Sequence, residues 1–147
     1  MKLTTRGYYS IKAMLDLAIL GSKQPTSVRT IAQRQQIPAP YLEKLLIELR
    51  QSGLVRSQRG AQGGYQLTRN PRQISLAEIL EAVGERLEAR DWTPQPEGPA
   101  EDWVTRAVWQ RISSRVQQVL QETTLEDLYF DARSWQAAQG AETGFMV

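Results

Sequence analysis

Two prolines, Pro38 and Pro40, stand close together inside a stretch otherwise patterned for helix, and they limit the fold more than any other feature. Pro38 lacks an N–H and pushes Ile37 out of helical geometry, so a helix arriving from the N-terminal side must end there. Pro40 suits the first turn of a new helix. The arriving helix begins after Ser27, a good N-cap, and carries Val28, Ile31 and Ala32 to about Gln35. The departing helix carries Tyr41, Leu42, Leu45, Leu46 and Leu49 at helical spacing and stops near Ser52-Gly53. Two helices joined by a turn of about four residues make a helix-turn-helix arrangement.

The flanking segments extend this pattern. Upstream, Tyr8, Ile11, Leu15, Ala18 and Ile19 recur at helical spacing, and Gly21 with Pro25 closes a first, half-buried helix. Downstream, Leu54-Val55-Arg56-Ser57-Gln58-Arg59 and Tyr65-Gln66-Leu67 read as two short strands around Gly60-Ala61-Gln62-Gly63-Gly64. A basic hairpin after a recognition helix is a wing, and glycines at its tip accept positive φ and let the backbone approach phosphates. The glycine run is not a nucleotide-binding loop, because no Lys-Ser/Thr follows it and a strand comes next. Ser75-Leu76-Ala77-Glu78 has capping-box spacing and predicts a fourth helix that buries Leu76, Ile79, Leu80 and Val83 and ends near Gly84.

Residues 90–99, with Pro94, Pro96, Gly98 and Pro99, have loop composition. Then Trp103, Val104, Ala107, Val108, Ile112, Val116, Val119 and Leu120 form an apolar stripe along a helix of about twenty residues, and one stripe that long needs a partner. Thr124 with Asp127 caps a last short helix containing Leu125, Leu128 and Tyr129, and the tail past Gln136 is expected to fray. The expected division is a winged helix-turn-helix over 1–84, a linker over 85–100, a dimerisation helix and short C-terminal helix over 101–137, and a tail over 138–147.

At 147 residues the chain suits one domain with a long appended helix, a shortage of core that a dimer relieves. With no cysteine and no histidine, it lacks disulfides, thiolate metal sites, Cys or His nucleophiles and imidazole bases. The net charge of +2 conceals two opposite halves. Residues 1–75 hold twelve Lys and Arg against three acids, whereas 76–147 hold six against thirteen. A polyanion meets the first half. No apolar run is long enough for a membrane span and no export signal opens the chain, so the cytoplasm is expected.

The segments Met1 to Tyr9, Ala13 to Ala18, Ile31 to Gln35, Tyr41 to Leu45, Gly53 to Ser57, Arg59 to Tyr65 and Ile74 to Ile79 together resemble the Rrf2 family of bacterial regulators, which includes IscR-, NsrR- and CymR-type proteins. The likeness is close over residues 1–84 and looser beyond, where the long helix and Thr124 to Leu128 fit the family layout. The resemblance implies homodimers whose long helices pack together, with two winged heads on a pseudo-palindromic operator in double-stranded DNA. It also places a sensor loop near residues 85–100. Cluster-binding members carry three cysteines there, with a fourth ligand such as histidine or an N-terminal aspartate. Here that loop has neither Cys nor His, and Tyr8 stands where the aspartate falls, so a cysteine-held iron–sulfur cluster is excluded and no cofactor is expected.

Several residues carry the expected chemistry. Glu43 and Lys44 face outward from the recognition helix, where Lys44 can donate to guanine and Glu43 accept from cytosine, or else stand as solvated charges. Ala39, Pro40 and Tyr41 open that helix, where free N–H groups favour phosphate, although Tyr41 equally suits packing. Arg59 at the wing is fit to enter a narrow minor groove, with Arg56, Ser57, Gln58 and Gly60 along the backbone. Lys2, Arg29 and Thr30 are candidate phosphate contacts. Trp103, Val104, Val108, Ile112, Val116, Val119 and Leu120 are the dimerisation set. The tryptophans Trp92, Trp103, Trp109 and Trp135 read as core or dimer packing before an effector pocket. Glu97, Glu101 and Asp102 suit a hard cation or, more commonly, bind nothing.

The expectation is therefore a mainly α fold with a two-stranded wing, acting as a sequence-specific repressor or activator, with repression favoured, that answers to a protein or small-molecule effector. One rival is a dimeric adaptor controlled by a metabolic enzyme docking on its acidic half. Another is a carboxylate enzyme, which the helix-surface spacing of the acids disfavours.

Overall fold

In the computed structural model, which describes residues 3–20, 23–85 and 93–145, the helix break lies one residue ahead of the position that Pro38 restricts. Helix α2 (Val28–Gln35) ends on Gln36, which is left-handed at φ 56° and donates its N–H to the Ala32 carbonyl. Ile37 follows with a 3.1 Å bond to the same carbonyl and buries its side chain. This double closure on the Ala32 carbonyl ends α2 and turns the chain sharply. Helix α3 (Ala39–Gln51) then starts with Pro40 in its first turn and buries Leu42, Leu45, Leu46 and Leu49. Each contributes about 1.5–3 kcal/mol by leaving water.

Helix α1 (Thr5–Leu20) corrects one expectation. Its fully buried positions are Gly7, Ser10, Ala13, Met14, Asp16, Leu17 and Ala18, while Tyr8 is exposed and Ile11 and Leu15 are half-buried. The expected stripe is rotated by about one residue. The reason is placement: α1 touches the other helices of the head on more than one side, so a single-face pattern does not describe it. Gly21, expected to close this helix, lies outside the described residues.

Strands β1 (Val55–Gln58) and β2 (Gly64–Leu67) pair antiparallel with Val55 opposite Leu67 and Gln58 opposite Gly64. The wing is also tied to the segment before α2, since Thr26 and Tyr65 exchange backbone bonds of 2.9 and 2.8 Å. Gly64 makes that approach possible: at φ +153° a Cβ would stand 2.2 Å from the Thr26 carbonyl oxygen. Gly64→Ala is expected to part the wing from Thr26 and to cost about 2 kcal/mol or more, read as a lowered urea midpoint with an unchanged slope. An alanine variant as stable as the wild type would show that the contact is dispensable.

A 3-10 turn (Pro71–Gln73) leads into α4 (Leu76–Ala82), which opens on the expected capping box. The Ser75 hydroxyl accepts the Glu78 N–H at 3.1 Å, and the Glu78 carboxylate accepts the Ser75 N–H at 2.9 Å. Partial burial works against the charged carboxylate of Glu78, but the Ser75 N–H and the Arg69 guanidinium outweigh it and hold its pKa below the ordinary value. Ile79, Leu80 and Val83 are buried, whereas Leu76 is half-buried.

Helix α5 (Ala100–Glu122) is followed by α6 (Leu125–Phe145). The expected short last helix and frayed tail are thus replaced by one helix of 21 residues. Ala137, Ala138 and Ala141 favour helix enough to outweigh Gly140 and Gly144. Thr124 and Asp127 cap it reciprocally at 2.9 and 3.1 Å, as their spacing predicts. The junction is stitched to α4: Leu76 donates to Thr123 and Leu125 to Ile74, and Leu125 is fully buried in the same core as Met14, Leu17 and Leu49.

Candidate nucleic-acid interface

The N-terminus of α3 carries no side-chain cap, and Ala39, Pro40 and Tyr41 there are exposed. One turn on, Glu43 and Lys44 point to solvent because the leucines take the inward face. An uncapped helix start has free N–H groups and the positive end of the helix dipole, which together suit a phosphate. Tyr41 serves both readings, since its ring meets Tyr9 edge-on at 5.6 Å while the residue stays 36% exposed.

Three acids stand among the first 75 residues, and two are used internally. Asp16 is held by Arg34 and Gln35, and Glu48 by Arg6. Among the described residues Glu43 has no ion-pair partner. The one acid left facing outward from this basic module therefore sits on α3 beside Lys44.

The wing presents Arg56, Ser57, Gln58, Arg59 and Gly60 exposed in sequence. Arg56 reaches its cross-strand partner Gln66 at 3.3 Å, and Arg50 at the end of α3 donates to the Ser57 hydroxyl at 3.4 Å. Arg50 thus links the recognition helix to the wing and adds a cation that the sequence reading did not single out. Arg29 is exposed on α2, whereas Thr30 is half-buried and its hydroxyl lies 2.8 Å from that of the N-cap Ser27. Lys2 lies outside the described residues.

On α5, Trp103, Val104, Val108, Ile112 and Val119 form an exposed apolar row, with Val116 half-buried beside it. Leu120 departs from the set: it is 7% exposed, buried within its own chain close to the α4–α6 junction, and is unavailable to a partner. Trp109 and Trp135 are also exposed, at 47% and 70%, so neither belongs to the core of this chain, and Trp92 lies outside the described residues. Glu101 and Asp102 occupy the first turn of α5, where carboxylates offset the helix dipole. Among the described residues no group of three His, Cys, Asp or Glu side chains could hold a metal, and no helix is long and apolar enough to cross a membrane.

A winged helix-turn-helix head with an exposed, basic recognition face is the signature of DNA-binding regulators. The Rrf2 family profile, described as an iron-dependent transcriptional regulator, matches residues 3–131. The chain belongs to the Rrf2 family. It is 53% identical over 147 residues to slr0846 of Synechocystis, designated an HTH-type transcriptional regulator, with the whole of both chains covered. It is 34% identical to the HTH-type regulator IscR of Vibrio parahaemolyticus, over all of this chain and 88% of that one. Among solved structures, CymR, described as the global cysteine regulator of B. subtilis, superposes with a TM-score of 0.76 at 38% identity, covering 88% of this chain and 96% of that one. The T. potens IscR gives 0.74 at 39%, covering 92% and 91%. This Rrf2 protein is a DNA-binding transcriptional regulator and not an enzyme.

The family's iron dependence meets a chain with neither cysteine nor histidine. A thiolate-held cluster needs cysteines, and the sequence has none. At position 8 the side chain is a tyrosine ring with the Lys12 ammonium 5.4 Å from its centre. The residues present do not fit such a cluster.

Proposed function

We propose that this Rrf2 protein binds a pseudo-palindromic operator as a homodimer, represses the adjoining promoter by occupying it, and takes its signal by a route other than a cysteine-ligated cluster. The observation that carries the reading is the face of α3: an exposed, uncapped N-terminus followed by an exposed acid and a lysine, over four buried leucines. Lys44 donates to guanine, and Glu43 accepts from cytosine and repels wrong sequences. Ala39, Pro40 and Tyr41 hold the phosphate at the helix start, while Lys2, Arg29 and Thr30 grip the backbone. Arg59, with Arg56, Ser57, Gln58 and Gly60 around it, enters the minor groove.

Dimerisation through the α5 row of Trp103, Val104, Val108, Ile112, Val116 and Val119 presents two such heads about 34 Å apart or a multiple of it. The test is salt-dependent binding to fragments of the organism's own DNA. Glu43→Ala with Lys44→Ala is expected to lower discrimination between operator and other DNA about tenfold or more, since each lost base contact is worth about 1–3 kcal/mol. Arg59→Ala is expected to cost less, about 1–2 kcal/mol, and chiefly at A·T-rich flanks. Retained sequence preference in the double variant would refute base reading by α3. Repression is tested by in vitro transcription from the selected operator, where added protein is expected to lower the transcript.

A further inference from the structure

Four residues of α1, Arg6, Tyr9, Lys12 and Asp16, recur at steps of three and four and so share one face of the helix. Each touches the helix-turn-helix at a successive point. Asp16 accepts from Arg34 and Gln35 at the end of α2. Lys12 donates to the Gln35 carbonyl, just before the turn. Tyr9 packs edge-on against Tyr41 at the start of α3. Arg6 pairs with Glu48 near the end of α3, and its Nε also donates to the Val83 carbonyl at 2.8 Å, where α4 ends.

Arg6 is the member of this row that holds two elements at once. Its guanidinium spends separate N–H groups on a carboxylate of α3 and a carbonyl of α4, a division that its planar fork allows and a lysine ammonium reproduces poorly. Glu48 lies two turns along α3 from Tyr41, so the helix is held against α1 near both ends. Rotation or tilt of α3 about its leucine face would break the Arg6 contact first, because apolar packing is not directional whereas a planar guanidinium fixed by Nε to Val83 and by Nη2 to Glu48 is.

We propose that Arg6 is a positioning residue for operator recognition: through Glu48 and the Val83 carbonyl it sets the pitch at which α3 meets the major groove. The inference rests on the reading of α3 as the base-reading helix. It makes a prediction that electrostatics alone does not. If Arg6 and Glu48 acted on DNA only through charge, losing the arginine would weaken binding to every sequence, and losing the glutamate would strengthen it. As positioning residues, both losses act in the same direction, on discrimination.

The experiment compares the wild type with Arg6→Ala, Glu48→Gln, Arg6→Lys and the combined Arg6→Ala/Glu48→Gln variant. The probes are the fragment of its own genome that the wild type retains most tightly and a scrambled duplex of equal length and composition. Each single loss is expected to lower the ratio of operator to scrambled affinity about tenfold, with the combined variant no worse than either and the lysine variant between. Affinity for the scrambled duplex is expected to change less than the ratio. If Arg6→Ala does not fold, Glu48→Gln, which is near in shape and keeps the helix, decides alone. A wild-type ratio retained in Glu48→Gln, or opposite effects of the two single losses on all DNA, overturns the inference while leaving base reading by α3 intact. A wild type that does not distinguish the two probes overturns that reading and this inference with it.

Discussion

Val108→Glu combined with Ile112→Glu is expected to convert the protein to monomers and to weaken operator binding about a hundredfold or more. Both side chains are exposed in the single chain, at 37% and 44%, so glutamate at either site leaves the protomer folded. They lie in a row that runs from Trp103 to Val119, roughly 24 Å of helix at 1.5 Å per residue. An apolar row of that length leaves many side chains in water unless a second copy covers it. In a symmetric contact each new carboxylate would be buried facing apolar groups or its own equivalent, and either outcome is unfavourable. With the two heads uncoupled, each half-site is bound independently and the gain from joining them is lost. Sedimentation equilibrium is expected to show the monomer mass, and titration with a single half-site is expected to match the wild type. A double variant that stays dimeric would remove α5 from the interface. A monomer that binds the full operator as tightly as the wild type would remove the need for pairing.

What could be read in the sequence follows from how local the governing interaction is. The cap at Ser27, the box at Ser75 and Glu78, the pair Thr124 and Asp127, the four leucines of α3 and the glycine-tipped hairpin each act within a few residues, and each stands in the structure where its spacing places it. Tyr8, Ile11 and Leu15 misled because one-face amphipathicity describes a helix at the edge of a core, and α1 has neighbours on more than one side. Leu120 belonged by period to the α5 stripe, yet it is buried within its own chain, where α5 contacts α4. The end of α6 was missed because the residues past Gln136 are small and polar and carry no apolar period to mark a helix, although Ala137 and Ala138 favour one. At the candidate interface, the outward positions of Glu43, Lys44 and Arg59 were legible, but the ties behind them were not. Arg6 to Glu48 and Asp16 to Arg34 span 42 and 18 residues, and no local rule pairs them. One signal did exist: Asp16 is an acid inside the apolar run Ala13-Met14-Leu15-Asp16-Leu17-Ala18, a position where a carboxylate needs a buried partner.

That carboxylate carries the largest stability effect expected from a single change. Asp16→Ala is expected to remove about 3 kcal/mol and to lower Tm by about 10 °C, because truncating one partner of a buried ion pair leaves the other uncompensated. Asp16 is 1% exposed and accepts three bonds, from Arg34 at 3.0 and 2.7 Å and from Gln35 at 2.8 Å. The Arg34 side chain keeps 34% of its exposure and recovers part of its hydration once released, which holds the loss near the lower end for a broken buried pair. Asparagine is a poor substitute, since its amide NH2 would face the donors of Arg34 or Gln35. Asp16→Asn is therefore expected to lose nearly as much as alanine. Urea and thermal unfolding of both variants measure this, and a loss below about 1 kcal/mol would show that the cluster contributes little. The effect on DNA separates this residue from Arg6. Asp16 fixes the end of α2 and not α3 itself, so its loss lowers the fraction of folded protein and weakens operator and scrambled DNA alike. The Arg6 and Glu48 variants instead change the ratio between them.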